Sequence, residues 1–120
     1  MSGGSILYIH YDPELADIRQ QLVNRLGYEV TSATGSNEAR RIAGTRRFDL
    51  VILGHAAPEE ERRRMANWLK ANLPGVPVLA LCPAPFETVD YGDYQADAHN
   101  PDAWMALVEE ELTKKKGRGR

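Results

Sequence analysis

The stretch Phe48-Asp49-Leu50-Val51-Ile52-Leu53-Gly54-His55-Ala56-Ala57-Pro58 decides how the rest of the chain is read. Leu50 to Leu53 is an unbroken apolar run with two β-branched residues at its centre. A strand covered on both faces, as in the middle of a parallel sheet, has this composition, whereas a half-solvated strand alternates. Gly54 and His55 stand where that strand ends, and Pro58 opens a helix. In open α/β sheets, sites form just beyond the carboxyl ends of strands. Chemistry is therefore expected at Gly54, His55 and the matching ends of neighbouring strands.

Working outward, Ser5 to Ile9 reads as a first strand. Asp12 is a suitable N-cap and Pro13 a suitable first residue for a helix whose apolar stripe is Leu15, Ile18, Leu22, Val23 and Leu26, with Gly27 as its stop. Tyr28 to Ala33 alternates as a strand does. Ser36 caps a short helix, with Ala39, Ile42 and Ala43 inward and Gly44 at its end. Beyond Pro58, the acids Glu59 to Glu61 lie in a helical first turn, where the helix dipole favours them. Arg62 to Arg64 follow at pairing distance, and Met65, Trp68 and Leu69 form the inward stripe. The acidic and basic run reads as a solvated helix face. Val76 to Leu81 is a fourth buried strand with Pro77 at its start. Cys82 to His99, broken by Pro83 and Pro85, has no clear period beyond a short strand near Ala96 to Ala98. Asn100 caps a last helix with Trp104, Met105, Leu107, Val108 and Leu112 inward.

Strands alternating with helices imply a three-layer α/β/α, doubly wound parallel sheet of five strands. Right-handed crossovers select the flavodoxin-like order 2-1-3-4-5. The 120 residues are expected to divide into a flexible 1–4, one domain over 5–113 and a basic, disordered tail over 114–120. The tail holds five cations, so a net charge of -2 leaves the body near -7. An acidic body is not a nucleic-acid surface, and the tail offers weak, salt-sensitive contact at most. No run is long enough to span a membrane, no signal pattern opens the chain, and the single cysteine, Cys82, fits a reducing cytoplasm.

The blocks ILYIHYDPEL, LGYEVTSATGSNEA, FDLVILGHAAP and VPVLALC come in the order and near the spacing of the receiver domain of response regulators, which residues 5–112 resemble. The resemblance implies two-component, phosphorelay-type signalling. It also implies a phosphorylated aspartate at the end of the third strand, an acidic pair for Mg²⁺ after the first, a hydroxyl residue after the fourth and a lysine after the fifth. These positions fall on Gly54, on His10 and Tyr11 with Asp12 one place late, on Cys82 and on Asp97. The segment from Cys82 to Asn100 is several residues shorter than the family's, so the family's fourth helix is stunted or replaced by loop. Glycine cannot carry an acyl phosphate, and a His-Tyr pair is no ligand set for Mg²⁺. Asp49 precedes its strand, at the wrong end to substitute.

The expected protein is thus a degenerate receiver: not an enzyme, without a cofactor, acting by contact with a signalling protein or a second copy of itself. Aromatic residues in and after the irregular segment, Phe86, Tyr91, Tyr94 and Trp104, are candidates for that contact. Two alternatives use the same strand ends. His10, His55, Cys82 and His99 could form a Zn²⁺ or copper site or a small-ligand sensor, although no short chelating spacing links them. Asp12 could be an unusual phosphoacceptor.

Overall fold

The computed structural model describes residues 4–82, 89 and 91–118. Five strands and four helices follow one another as β1 Ser5–His10, α1 Pro13–Asn24, β2 Glu29–Thr34, α2 Gly35–Ala43, β3 Leu50–Leu53, α3 Glu59–Asn72, β4 Val78–Cys82, β5 Tyr94–Asp97 and α4 Pro101–Arg118. All pairings are parallel and the sheet order is β2-β1-β3-β4-β5, the expected flavodoxin-like order.

Strand parity sorts the core into two layers, because successive side chains point to opposite faces. Leu7, Ile9, Val51, Leu53, Val78 and Ala80 share one cluster with Ala39 and Ala43 of α2 and Met65 and Leu69 of α3. Ile6, Tyr8, Leu50, Ile52, Leu79 and Leu81 share the other with Val23 of α1 and Trp104, Val108 and Leu112 of α4. Every residue of β3 is buried, as its unbroken apolar run requires.

Carboxylates staple the amino ends of the strands. Asp49 accepts from the Ser5 amide at 2.9 Å, which explains why this acid stands before β3, at the end of the sheet away from Gly54. Asp93 accepts from the Val78 amide at 2.8 Å and from Lys70 at 2.9 Å. Beside it Gly92 has φ +86, and a Cβ there would lie 3.1 Å from the Cβ of Ala80. The turn into β5 therefore excludes side chains on two grounds.

Four local expectations are corrected. Helix α1 is rotated so that Arg19 is buried, at 8% exposure, while Ile18 is 61% exposed. The long arginine stem crosses the apolar surface and delivers its guanidinium to hydrogen bonds at the sheet's end. Thr34, not Ser36, is the N-cap of α2; Glu38 accepts from the Thr34 amide at 3.0 Å, and the Ser36 hydroxyl is engaged elsewhere. The last strand lies over Tyr94–Asp97, earlier than Ala96 to Ala98. The backbone of α4 runs on to Arg118, into the stretch expected to be a disordered tail. Consecutive lysines are good helix formers, and the carboxyl end of a helix favours cations.

Candidate functional site

The carboxyl ends of β1, β3, β4 and β5 bring the singled-out residues to one edge. His10 ends β1 and is buried. Its Nε2 lies 3.3 Å from the Thr34 hydroxyl, and its Nδ1 has no hydrogen-bond partner among the described residues. Burial pushes its pKa below the usual imidazole value, against a smaller upward pull from Glu38, Asp17 and Asp12. Tyr11 is half-buried, and its hydroxyl is 3.0 Å from that of Ser36, which donates to Glu61 at 3.1 Å. This chain ties the end of β1 to the start of α2 and to α3. Burial raises the Tyr11 pKa, which keeps the phenol neutral.

Gly54 follows β3, and its amide donates to the Ile9 carbonyl at 2.8 Å. A Cβ on residue 54 would stand 3.0 Å from that carbonyl oxygen and 3.4 Å from the Cα of His10. Tyr8, His10, Tyr11, Asp12, Arg19, Gly54, His55 and Ala56 line a tight cleft too narrow to seat a water molecule between them. The position that resembles a phosphoacceptor is thus both without a side chain and closed in by backbone.

His55 stands next to Gly54 at the rim. Its ring lies edge-on to that of His99, centroids 5.4 Å apart. The Nη1 of Arg19 is 3.4 Å from its Nδ1, and the Nη2 of Arg19 donates to the Ala98 carbonyl at 3.1 Å, just past β5. For His55 to accept from a guanidinium, its neutral ring must carry the proton on Nε2. Burial lowers its pKa, and Arg19, His99 and Arg62 lower it further. Cys82 is buried at the end of β4, opposite Asp97 of β5, whose carboxylate accepts from the His99 amide at 2.9 Å.

Proximity along one edge does not make a metal centre of these residues. Among the described residues, no group of three His, Cys, Asp or Glu side chains is placed to hold a metal ion. The set His10, His55, Cys82 and His99 is not gathered into one cluster among the described residues: His10 turns to Thr34, whereas His55 and His99 meet over Arg19. The aromatic set also divides. Trp104 is 1% exposed inside the α1/α4 layer, and Tyr91 is buried beneath Arg62 and Arg63, which lie 5.8 and 5.5 Å from its ring centroid. Both side chains lie inside the fold. Tyr94 is half-exposed and donates to Glu111 of α4 at 2.6 Å, a bond that raises the phenol's pKa. Phe86 lies outside the described residues.

Sequence reasoning missed two buried cations, Arg19 and Arg62. Arg62 is 5% exposed and donates to the Ala57 carbonyl at 3.0 Å, holding the loop after β3 against α3. The signal was spacing: positions 62, 65, 66 and 69 fall on one helical face, as do 19, 22, 23 and 26.

No protein-family model matches the chain, and no curated protein matches it. Solved structures do. A CheY-like receiver domain from Methanospirillum hungatei superposes with a TM-score of 0.81 at 18% identity, covering 96% of this chain and 98% of its own. The Thermotoga maritima response regulator TrrA, solved with Mg²⁺ and a beryllium fluoride, gives 0.79 at 20% identity over 92% and 99%. The complex of the histidine kinase ThkA with TrrA gives 0.80 at 20% over 93% and 99%. At these identities the likeness is one of fold, and the fold of this chain is that of the response-regulator receiver domain.

Proposed function

We propose that this chain is a receiver-like signalling domain that acts by protein contact and without phosphorylation of its own. One observation carries the reading: position 54, where a receiver would be phosphorylated, has no side chain and a Cβ there would meet the Ile9 carbonyl at 3.0 Å. Around it, the acids that would hold a metal are reduced to Asp12, and two buried arginines bring cations to the same end of the sheet. Guanidiniums held there oppose Mg²⁺, which needs several hard anionic oxygens. The complex of ThkA with TrrA supports a signalling protein as partner. The contact surface we assign is the α4–β5 face, where Tyr94 is half-exposed and carries its hydroxyl to Glu111. Among the described residues no helix is long and apolar enough to cross a membrane.

Incubation with acetyl phosphate and Mg²⁺, followed by intact-mass measurement, tests the first half of the reading. The expected mass is that of the unmodified chain, and a phosphoryl adduct on Asp12 or any other residue overturns it. Capture of partners from the source cell, compared between the native chain and Tyr94→Ala, tests the second half. Equal capture by both would remove the α4–β5 face from the proposal.

A further inference from the structure

The contacts of His55 link three elements through one titratable ring. Arg19 projects from α1, His55 follows β3, and His99 follows β5. Arg19 reaches both strand ends, with one nitrogen 3.4 Å from the Nδ1 of His55 and the other 3.1 Å from the Ala98 carbonyl. His99 closes the stack at 5.4 Å, edge-on. We propose that Arg19, His55 and His99 form an acid-operated latch, which ties α1 to the end of β3 while His55 is neutral and releases that tie when His55 takes a proton.

The chemistry follows from donor counting. Arginine has five N–H donors and no acceptor, and it cannot deprotonate in a protein. Neutral His55 offers Nδ1 as an acceptor. Protonated His55 has two N–H donors and none to accept, so the Arg19 contact becomes cation against cation with nothing between. Two fixed charges, Arg19 and Arg62, and a second imidazole, His99, act on the ring against one carboxylate, Asp12. Tyr8 and His10 line the same narrow space and His55 is only half-exposed, so water screens the repulsion incompletely. Arg19 then keeps its bond to the Ala98 carbonyl, and α1 loses its tie to β3 at the rim.

A pH titration by two-dimensional NMR tests the latch on the whole chain. In the native protein, amides of residues 17–24 and 98–99 should shift together between about pH 8 and about pH 5, the range in which histidine changes charge. Their midpoint should coincide with that of the His55 ring carbons. His55→Gln keeps a carbonyl for Arg19 and removes the titration, so its α1 amides should stay still. His10→Gln, which leaves the stack intact, should retain the shift. Three results overturn the proposal: the same α1 transition in His55→Gln, α1 amides that stay still while the His55 ring titrates, or loss of the entire far-ultraviolet helix signal at that midpoint. The last would mean global unfolding in place of a local release. The readout involves no phosphodonor and no partner, so it succeeds or fails separately from the function proposed above.

Discussion

In the function proposed above, the residue that sets this chain apart from a phosphorylated receiver is Gly54, and its expected effect is steric as well as chemical. Supplying a carboxylate at position 54 is therefore not expected to create a phosphorylation site. In Gly54→Asp the Cβ meets a backbone oxygen at 3.0 Å, and backbone cannot swing aside as a long side chain can. The new carboxylate also enters a space with no room for water. We expect this variant to lose about 1–3 kcal/mol in urea unfolding, the usual cost of overpacking a filled site. We also expect no mass gain with acetyl phosphate, because the remaining Mg²⁺ ligands are still missing. A phosphorylated Gly54→Asp would show that one side chain is all the site lacks. The absence at position 54 was legible in the sequence, because a strand-end glycine can be read without knowing any contact. The roles of Arg19 and Arg62 were not legible. An arginine in a charge-rich helix reads as solvated, and only its partners, the Ala98 and Ala57 carbonyls, show that it is not.

At the scale of elements, the reading succeeded wherever burial alone decides the pattern. The apolar runs of β3 and β4 and the stripes of α3 and α4 follow from the need to cover a two-faced sheet. It failed where a polar side chain competes for an inward position, as in the phase of α1, and at the start of α2, where the Thr34 hydroxyl faces His10 and the Ser36 hydroxyl donates to Glu61, so neither hydroxyl caps the helix. The turn before β5 shows how a polar group can set an element's start. Asp93 binds the Val78 amide, which has no strand partner at that end, and also Lys70. The ion pair is exposed on the lysine side, and such pairs contribute about 1 kcal/mol or less. The part-buried amide left unpaired would cost about 1–3 kcal/mol. Asp93→Ala should therefore lower the urea midpoint clearly, Lys70→Met should lower it only slightly, and neither should change the slope of the transition. Equal losses in the two variants would place the stabilisation in the ion pair.

For the molecule as a whole, His10 and His55 set a direction for stability against pH. His10 and His55 both have folded pKa values below the ordinary 6.5, in each case chiefly through burial. An unfolded chain then binds protons more readily than the folded one as pH falls through about 6.5, and stability must fall with it. The decline levels off only below the folded values. Above about pH 8 neither ring carries appreciable charge in either state, and their contribution to the slope vanishes. Carboxylates add their own dependence at lower pH, so the test is a comparison of variants. The melting temperature of the native chain should fall between about pH 7 and about pH 5.5. Each of His10→Gln and His55→Gln should flatten that fall, and the double variant should flatten it most. The two rings share the neighbour Asp12, so their effects are expected to depart from simple addition. A native chain more stable at about pH 5.5 than at about pH 7 would mean that both imidazoles gain anionic partners on folding. The carboxyl edge of the sheet would then hold histidinium ions, where the structure places neutral rings against arginine.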